Sequence, residues 1–209
     1  MQLSDPALTN ALKKLEPLPG FAAQSHLSPH RPGERPEVRV APVDARLAAV
    51  LVALYPLAGG EAVFALIKRQ PDDTVHSAQI SLPGGRIEDH DSSIEDAALR
   101  EAQEEIHIQA ENVRILGRLS SLYIPPSKHL VHPVIGILEN RPPLRPNPRE
   151  VAAILEIPLE ALLAPIHSEK RTDWIVPYFL MGGEKVWGAT AMILSELRTI
   201  LARYFSAAG

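Results

Sequence analysis

The segment IEDAALREAQEEI, residues 94–106, sets the strongest constraint on what this chain can fold into. Ile94, Ala97, Ala98, Leu99, Ala102 and Ile106 recur at helical spacing, so the segment reads as a helix whose apolar side must be buried against another layer. Ser92 and Glu95, three residues apart at its start, have the spacing of a capping box. Glu101, Glu104 and Glu105 fall at i, i+3 and i+4 and therefore share one face. Like charges so placed cost roughly a few tenths of a kcal/mol per pair. They also lie toward the C-terminal half, where the helix dipole disfavours anions. A hard divalent cation such as Mg²⁺ or Mn²⁺, which takes oxygen ligands, would relieve that repulsion. An isolated E-x-x-E-E can equally be a solvated acidic face.

Pro83-Gly84-Gly85 stands just upstream, separated from the helix by a polar loop. Glycine lets the backbone approach a ligand closely, and a free glycine carbonyl can serve as one more oxygen ligand. Arg100, just before the first glutamate, can hold that loop by pairing with an acid in it.

The rest of the chain alternates strand-like and helical segments. Ser4, Asp5 and Pro6 mark a helix start, with Leu8, Leu12 and Leu15 at helical spacing and Pro17 and Pro19 as its stop. Residues 17–42 are proline-rich and read either as an extended arm wrapping the domain or reaching a partner, or as a loose linker. The expected division is residues 1–42 as helix and arm, and 43–209 as the main domain. Arg46–Tyr55 and Ala62–Lys68 are apolar runs joined by Ala58-Gly59-Gly60, a hairpin signal. Val75–Leu82, Val113–Tyr123, Val131–Leu138, Ala152–Ile157 and Trp174–Met181 have strand character, Leu159–Leu163 reads as a helical turn, and Ala189–Phe205 as a closing amphipathic helix. That order implies a mixed α/β or α+β sandwich.

Composition removes several classes of function. A net charge of −4 without a basic stripe argues against a nucleic-acid partner. The absence of cysteine excludes disulfides, thiolate metal sites and a cysteine nucleophile. The longest apolar run, Leu47–Leu54, is too short to span a membrane as a helix. No basic region followed by an apolar run opens the chain, so the expectation is no secretory signal and a cytoplasmic location.

Residues 83–106 resemble the Nudix box, in which a glycine, five residues, a glutamate and seven residues lead to Arg-Glu, an apolar residue, any residue, Glu-Glu, any residue and a glycine. Gly85 opens the match and Arg100-Glu101-Ala102-Gln103-Glu104-Glu105 supplies its core. Asp91 stands at the first-glutamate spacing, with one residue more than usual before Arg100, and His107 replaces the second glycine. Lys68-Arg69, His76, Gln79 and Ser81-Leu82-Pro83-Gly84-Gly85 resemble the signature preceding the box in the coenzyme A diphosphatase branch, with Ala78 for a usual glycine and Leu82 for a usual phenylalanine. The likeness continues through His132-Pro133-Val134, Pro146-Asn147-Pro148-Arg149-Glu150-Val151 and Trp187-Gly188-Ala189-Thr190-Ala191.

The resemblance implies an α/β/α sandwich and a small nucleotide substrate. It assigns Mg²⁺ or Mn²⁺ to Glu101, Glu104 and Glu105, with the Gly85 or Gly84 carbonyl assisting. Glu104 or Glu101 would help deprotonate the attacking water, with Arg100 in the catalytic set and Glu150 as a further base or ligand; a surface loop position is the other reading of Glu150. Arg69 and Lys68 would meet phosphate oxygens, or be strand-end surface charges. His76 and Gln79 would contact substrate or join the structure. Trp187 is either core or a base-stacking surface. Coenzyme A would yield 3′,5′-ADP and 4′-phosphopantetheine. Competing expectations are an ADP-ribose or dinucleotide substrate, for which Tyr123 and Pro125 lie at a loosely suitable distance from the box, and a nucleotide-binding domain without catalysis. A homodimer formed through the arm is an expectation that no single residue carries.

Overall fold

The computed structural model describes residues 1–13, 15–71 and 79–207. Elements are numbered in chain order. β1 (Arg46–Pro56) and β2 (Ala62–Arg69) form the expected hairpin, with the turn closed by Gly60 N–H to Leu57 O and Gly60 at φ 81°. They pair only at the turn end, from Leu54–Phe64 to Pro56–Ala62, and then diverge. One segment fills the wedge: β3 (Ile80–Ser81) pairs with β2, and β4 (Gly84–Arg86) pairs with β1. β7 (His129–Ile137) runs parallel to β1 along its other edge. β5 (Arg114–Arg118) and β6 (Leu122–Ile124) both pair with β7, and β8 (Val151–Pro158) pairs with the outer edge of β2.

Both faces of this sheet are covered, which is why its central strands read as near-continuous apolar runs. The period of two sorts them. Ala49, Leu51, Ala53 and Tyr55 of β1, with Val63, Ala65 and Ile67 of β2, pack with Ala97, Ala98, Ala102 and Ile106 of α3 (Ile94–Ile106). Ala48, Val52 and Leu54, with Ala62, Phe64 and Leu66, pack on the opposite face with Leu194, Leu197 and Leu201 of α4 (Gly188–Ala207). Three short antiparallel strands, β9 (His167–Arg171), β10 (Trp174–Met181) and β11 (Glu184–Trp187), form a second sheet that contributes Phe179, Met181 and Val186 to the α4 side. The architecture is therefore an α/β/α sandwich. Among the described residues no helix is long and apolar enough to cross a membrane.

The N-terminal region is built into this body. Leu8 and Leu12 of α1 (Pro6–Lys13), together with Leu3, Leu15 and Leu27, are buried in the α4-side core. Residues expected to be an extended arm or loose linker instead include α2 (Phe21–Gln24) and a 3₁₀ turn at Ser25–Leu27. His30 then bridges to Ile175 of β10 in both directions. A buried carboxylate holds them: Glu196 of α4 accepts from Gly20 N–H (2.9 Å), Gln24 Nε2 (3.1 Å), Ser120 N–H (3.1 Å) and Ser120 Oγ (2.7 Å). Four donors satisfy a charge that would otherwise be costly to bury.

Other expectations are corrected in detail. Val113–Tyr123 is two strands, because after Leu119, whose N–H still donates to Pro133 O, the chain leaves the ladder where Ser120 turns to Glu196. Of Val75–Leu82 only Ile80–Ser81 is a strand among the described residues, and His76 lies outside them. The helix cap is Ser93, whose side chain accepts from Asp96 N–H at 3.0 Å, one residue beyond the expected Ser92. Glu95 is drawn away by Arg118, at 2.6 and 3.1 Å.

Candidate active site

The loop between β4 and α3 is folded around one ion pair. Arg100 Nε and Nη2 donate to the two oxygens of Asp91 at 2.9 and 3.0 Å, the bidentate arrangement that suits a guanidinium. Asp91 Oδ2 also accepts from Glu88 N–H at 2.8 Å, and Arg100 Nη2 reaches Arg86 O at 2.9 Å. Arg100's hydrogen bonds hold Asp91 down to about pKa 2. Asp91 thus closes the loop despite the extra residue between it and Arg100.

Arg100 Nη1 also lies 2.9 Å from Glu101 and 3.3 Å from Glu104 Oε2. The three glutamates then differ sharply. Glu104 is open to solvent, with 55% of its side chain exposed. Glu101 is largely covered, and burial raises its pKa, opposed by Arg100. Glu105 is 1% exposed. Burial pushes it up to about 7, opposed by the Gly84 N–H bond and Arg69, and assisted by the charges of Glu101 and Glu150. Gly84 N–H donates to Glu105 Oε2 at 2.8 Å, and Arg69 Nη1 stands 3.5 Å from Oε1.

The two glycines serve different purposes. A Cβ on Gly84 would sit 2.3 Å from Ala49 O and 2.6 Å from Val50 Cα, so this residue is required for β4 to lie against β1. A Cβ on Gly85 would sit 2.6 Å from the Glu101 carboxylate, so this glycine makes room for the acid. Leu51 N–H donates to Pro83 O and Ile87 N–H to Leu47 O, which makes 51/83, 49/85 and 47/87 the hydrogen-bonded pairs of the ladder. Gly85 O is therefore turned to Ala49. Gly84, at the alternate position, is left out of those pairs, and its N–H donates to Glu105 Oε2 instead.

The remaining candidates separate by strand alternation. Arg69 follows Val63, Ala65 and Ile67 onto the α3 face and reaches Glu105. Lys68 points to the opposite face and pairs with Glu184 of β11 at 2.7 Å, so it is removed from the group around Glu105. Gln79 sits beside Arg69, whose N–H donates to Gln79 O at 3.0 Å. Glu150 lies on the loop before β8, close enough for its charge to act on both Glu101 and Glu105. Its carbonyl accepts from Gln70 N–H at 2.8 Å. Trp187 is half-buried, with Arg171 over its ring at 4.7 Å. Asn147, which sequence places in the Pro146–Val151 likeness without a role of its own, is central here. Its N–H donates to Glu105 O at 2.8 Å, its Nδ2 to Glu150 at 3.3 Å, and its Oδ1 accepts from Arg149 N–H at 3.2 Å. The turn-forming Asn-Pro pair was the available signal.

Among the described residues, no three acidic or histidine side chains converge as a closed ligand set. Arg100 draws Glu101 and Glu104 to itself. The donor chemistry nevertheless fits a hard dication. Glu101, Glu105 and Glu150 crowd negative charge into one place, and the buried carboxylate of Glu105 accepts from the Gly84 N–H and has the Arg69 guanidinium at the longer distance of 3.5 Å. Every candidate donor is oxygen, and Gly84 O adds another.

An α/β/α sandwich carrying a glycine-backed acidic helix and a loop locked by Arg100 defines a hydrolase of phosphorus anhydrides. The family model for the NUDIX domain matches residues 45–176, and the chain belongs to that family, whose members use divalent cations. It is 34% identical over 181 residues to the uncharacterized Nudix hydrolase NudL of Shigella flexneri serotype 5b (strain 8401), covering 78% of this chain and 86% of that protein. It is 30% identical to Nudix hydrolase 22, chloroplastic, of Arabidopsis thaliana, covering 96% of this chain and 70% of that protein. Its fold resembles the Nudix hydrolase RenU of M. smegmatis, with a TM-score of 0.55, 20% identity and coverage of 76% and 87%. It also resembles the Nudix domain of Shewanella oneidensis NrtR complexed with ADP ribose, with a TM-score of 0.51, 16% identity and coverage of 77% and 91%.

Proposed function

We propose that this protein hydrolyses the diphosphate of coenzyme A or its derivatives to 3′,5′-ADP and 4′-phosphopantetheine, with Mg²⁺ or Mn²⁺. The observation that carries the hydrolytic reading is Glu105: a buried carboxylate, fastened to Gly84 N–H, beside Glu101 and Glu150, with Arg69 at its edge. Glu101, Glu105, Glu150 and Gly84 O would hold the cation, and Glu104, the exposed member, would join from the same helix face. The bound cation supplies polarisation of the phosphoryl oxygens and an acidified water. Arg69 is the cationic donor left for the diphosphate once Lys68 is engaged by Glu184. Glu104 or Glu101 takes the proton of the attacking water, as the family resemblance suggests. Arg100 fixes their carboxylates in place.

The coenzyme A assignment rests on the resemblance carried by the run from Lys68 to Gly85 and by the Asn147–Val151 segment; of these residues, Arg69, Gly84 and Asn147 touch Glu105. ADP-ribose is the second reading, since the NrtR domain of like fold holds that ligand. Incubation with coenzyme A, ADP-ribose and NADH, each with Mg²⁺, Mn²⁺ or chelator, followed by product masses, tests both. Metal-dependent 3′,5′-ADP and phosphopantetheine are expected. Preferential cleavage of ADP-ribose or NADH overturns the substrate, and binding without cleavage overturns catalysis.

A further inference from the structure

The helix that carries the glutamates ends in a residue its family pattern does not predict. His107 occupies the position of the box's second glycine and adopts the left-handed conformation, φ 61° and ψ 29°, that glycine provides freely. The helix is still terminated in the usual way, by His107 N–H to Gln103 O at 3.0 Å and Ile108 N–H to Ala102 O at 3.3 Å. Glycine would do this without strain, so the terminus alone gives no reason for a histidine. What histidine adds is a side chain: His107 Nδ1 lies 3.1 Å from Arg145 O.

That contact belongs to a series. Arg145 N–H donates to Ile106 O at 3.2 Å, and Asn147 N–H donates to Glu105 O at 2.8 Å. Asn147 in turn holds Glu150 through Nδ2 at 3.3 Å, and Glu150 N–H donates to Asn147 O at 3.1 Å. The last residues of α3 thus fasten the loop that delivers Glu150 to Glu101 and Glu105. Glu105 takes part twice, by its carboxylate in the site and by its carbonyl in the fastening.

We infer that His107 is a positioning residue: its Nδ1–H, by holding Arg145 O, seats the 145–150 loop so that Glu150 faces the carboxylates of α3. This rests on the role proposed above for Glu150. It predicts that a strain-free replacement lacking the side chain improves the helix end yet impairs the reaction. Asparagine tests the same idea from the other side, because it tolerates the left-handed conformation and carries an amide nitrogen one bond from Cγ, where Nδ1 stands.

The experiment compares H107G, H107N, E150Q and H107G/E150Q in the full chain, by kcat and KM with Mg²⁺ on coenzyme A (or on ADP-ribose if that is the substrate turned over) and by thermal denaturation. H107G should lower kcat by roughly two- to tenfold, the loss of one hydrogen bond's worth of positioning, with Tm unchanged or higher. H107N should retain turnover. H107G should cost nothing further in the E150Q background, since both act through one group. Wild-type kcat in H107G while E150Q is impaired overturns the positioning role alone, as does full additivity of the two. Wild-type kcat in E150Q overturns the role of Glu150 and the inference with it. A lowered Tm in H107G that H107N does not restore would make His107 a structural residue only.

Discussion

Replacing Glu105 with glutamine tests the electrostatics of the site while keeping its shape. Burial, then the neighbouring charges, raises the Glu105 pKa from 4.5 to about 7. The folded protein therefore keeps this carboxyl protonated at a pH where the unfolded chain has released the proton. The associated stability is fully present below about pH 4.5 and is lost as pH rises through about 7. At about 1.4 kcal/mol per pH unit, the interval from 4.5 to about 7 corresponds to about 3 kcal/mol. Glutamine keeps an oxygen for Gly84 N–H and carries no charge. Metal-free E105Q should match wild type at pH 4.5 and exceed it by about 3 kcal/mol at pH 8, read by urea denaturation in chelator. Mg²⁺ at about 1,000 times its Kd should reverse the order at pH 8, because it then stabilises the wild type by about 4.1 kcal/mol and finds no carboxylate at position 105 in the variant. Turnover should nearly vanish. Parallel stability–pH curves for the two proteins would refute the claim that burial raises the Glu105 pKa.

The two glycines should separate fold from site: G84A meets backbone at φ 152° and should cost about 3 kcal/mol or more, whereas G85A meets only the end of Glu101 and should fold normally while losing turnover, as denaturation and kcat would show. K68A should leave KM unchanged and cost at most about 1 kcal/mol, since it breaks only a partly exposed pair with Glu184. R69A should weaken substrate binding and move the acid limb of the pH–rate profile upward, because Arg69 is one of the two groups that lower the Glu105 pKa. E196A removes the shared acceptor of four donors from the N-terminal region and Ser120. It should cost roughly 1–3 kcal/mol and open residues 17–30 to limited proteolysis.

Local rules made much of this protein legible. The i, i+3, i+4 spacing of Glu101, Glu104 and Glu105 depends only on helical geometry, and the apolar residues between them fix which side is buried. The hairpin of β1 and β2, the bounds of α3 and the strand Trp174–Met181 follow from periodicities of two and 3.6 residues and from turn glycines. Alternation also sends Lys68 and Arg69 to opposite faces, a consequence available from sequence once β2 is accepted as a strand buried on both sides. The cap shifted from Ser92 to Ser93 because two serines offer the same oxygen one residue apart, and only the packed path of the loop around Asp91 and Arg100 selects between them.

What tertiary structure alone decided are relations between segments far apart in the chain. Three glutamates of one type and one helix face become an exposed, a covered and a buried acid, because β4 and the Asn147 loop approach α3 from one end. The ladder register of β4 on β1 assigns Gly84 to one role and Gly85 to another. Glu196 gives no sign in sequence of holding Gly20, Gln24 and Ser120, since a carboxylate on an amphipathic helix becomes a core residue only when distant donors surround it. Sequence by itself determined the elements and the chemical groups this protein brings to its site, because those depend on neighbours within a few residues. Burial, pKa and pairing were decided by the fold, because they depend on which surfaces exclude water together.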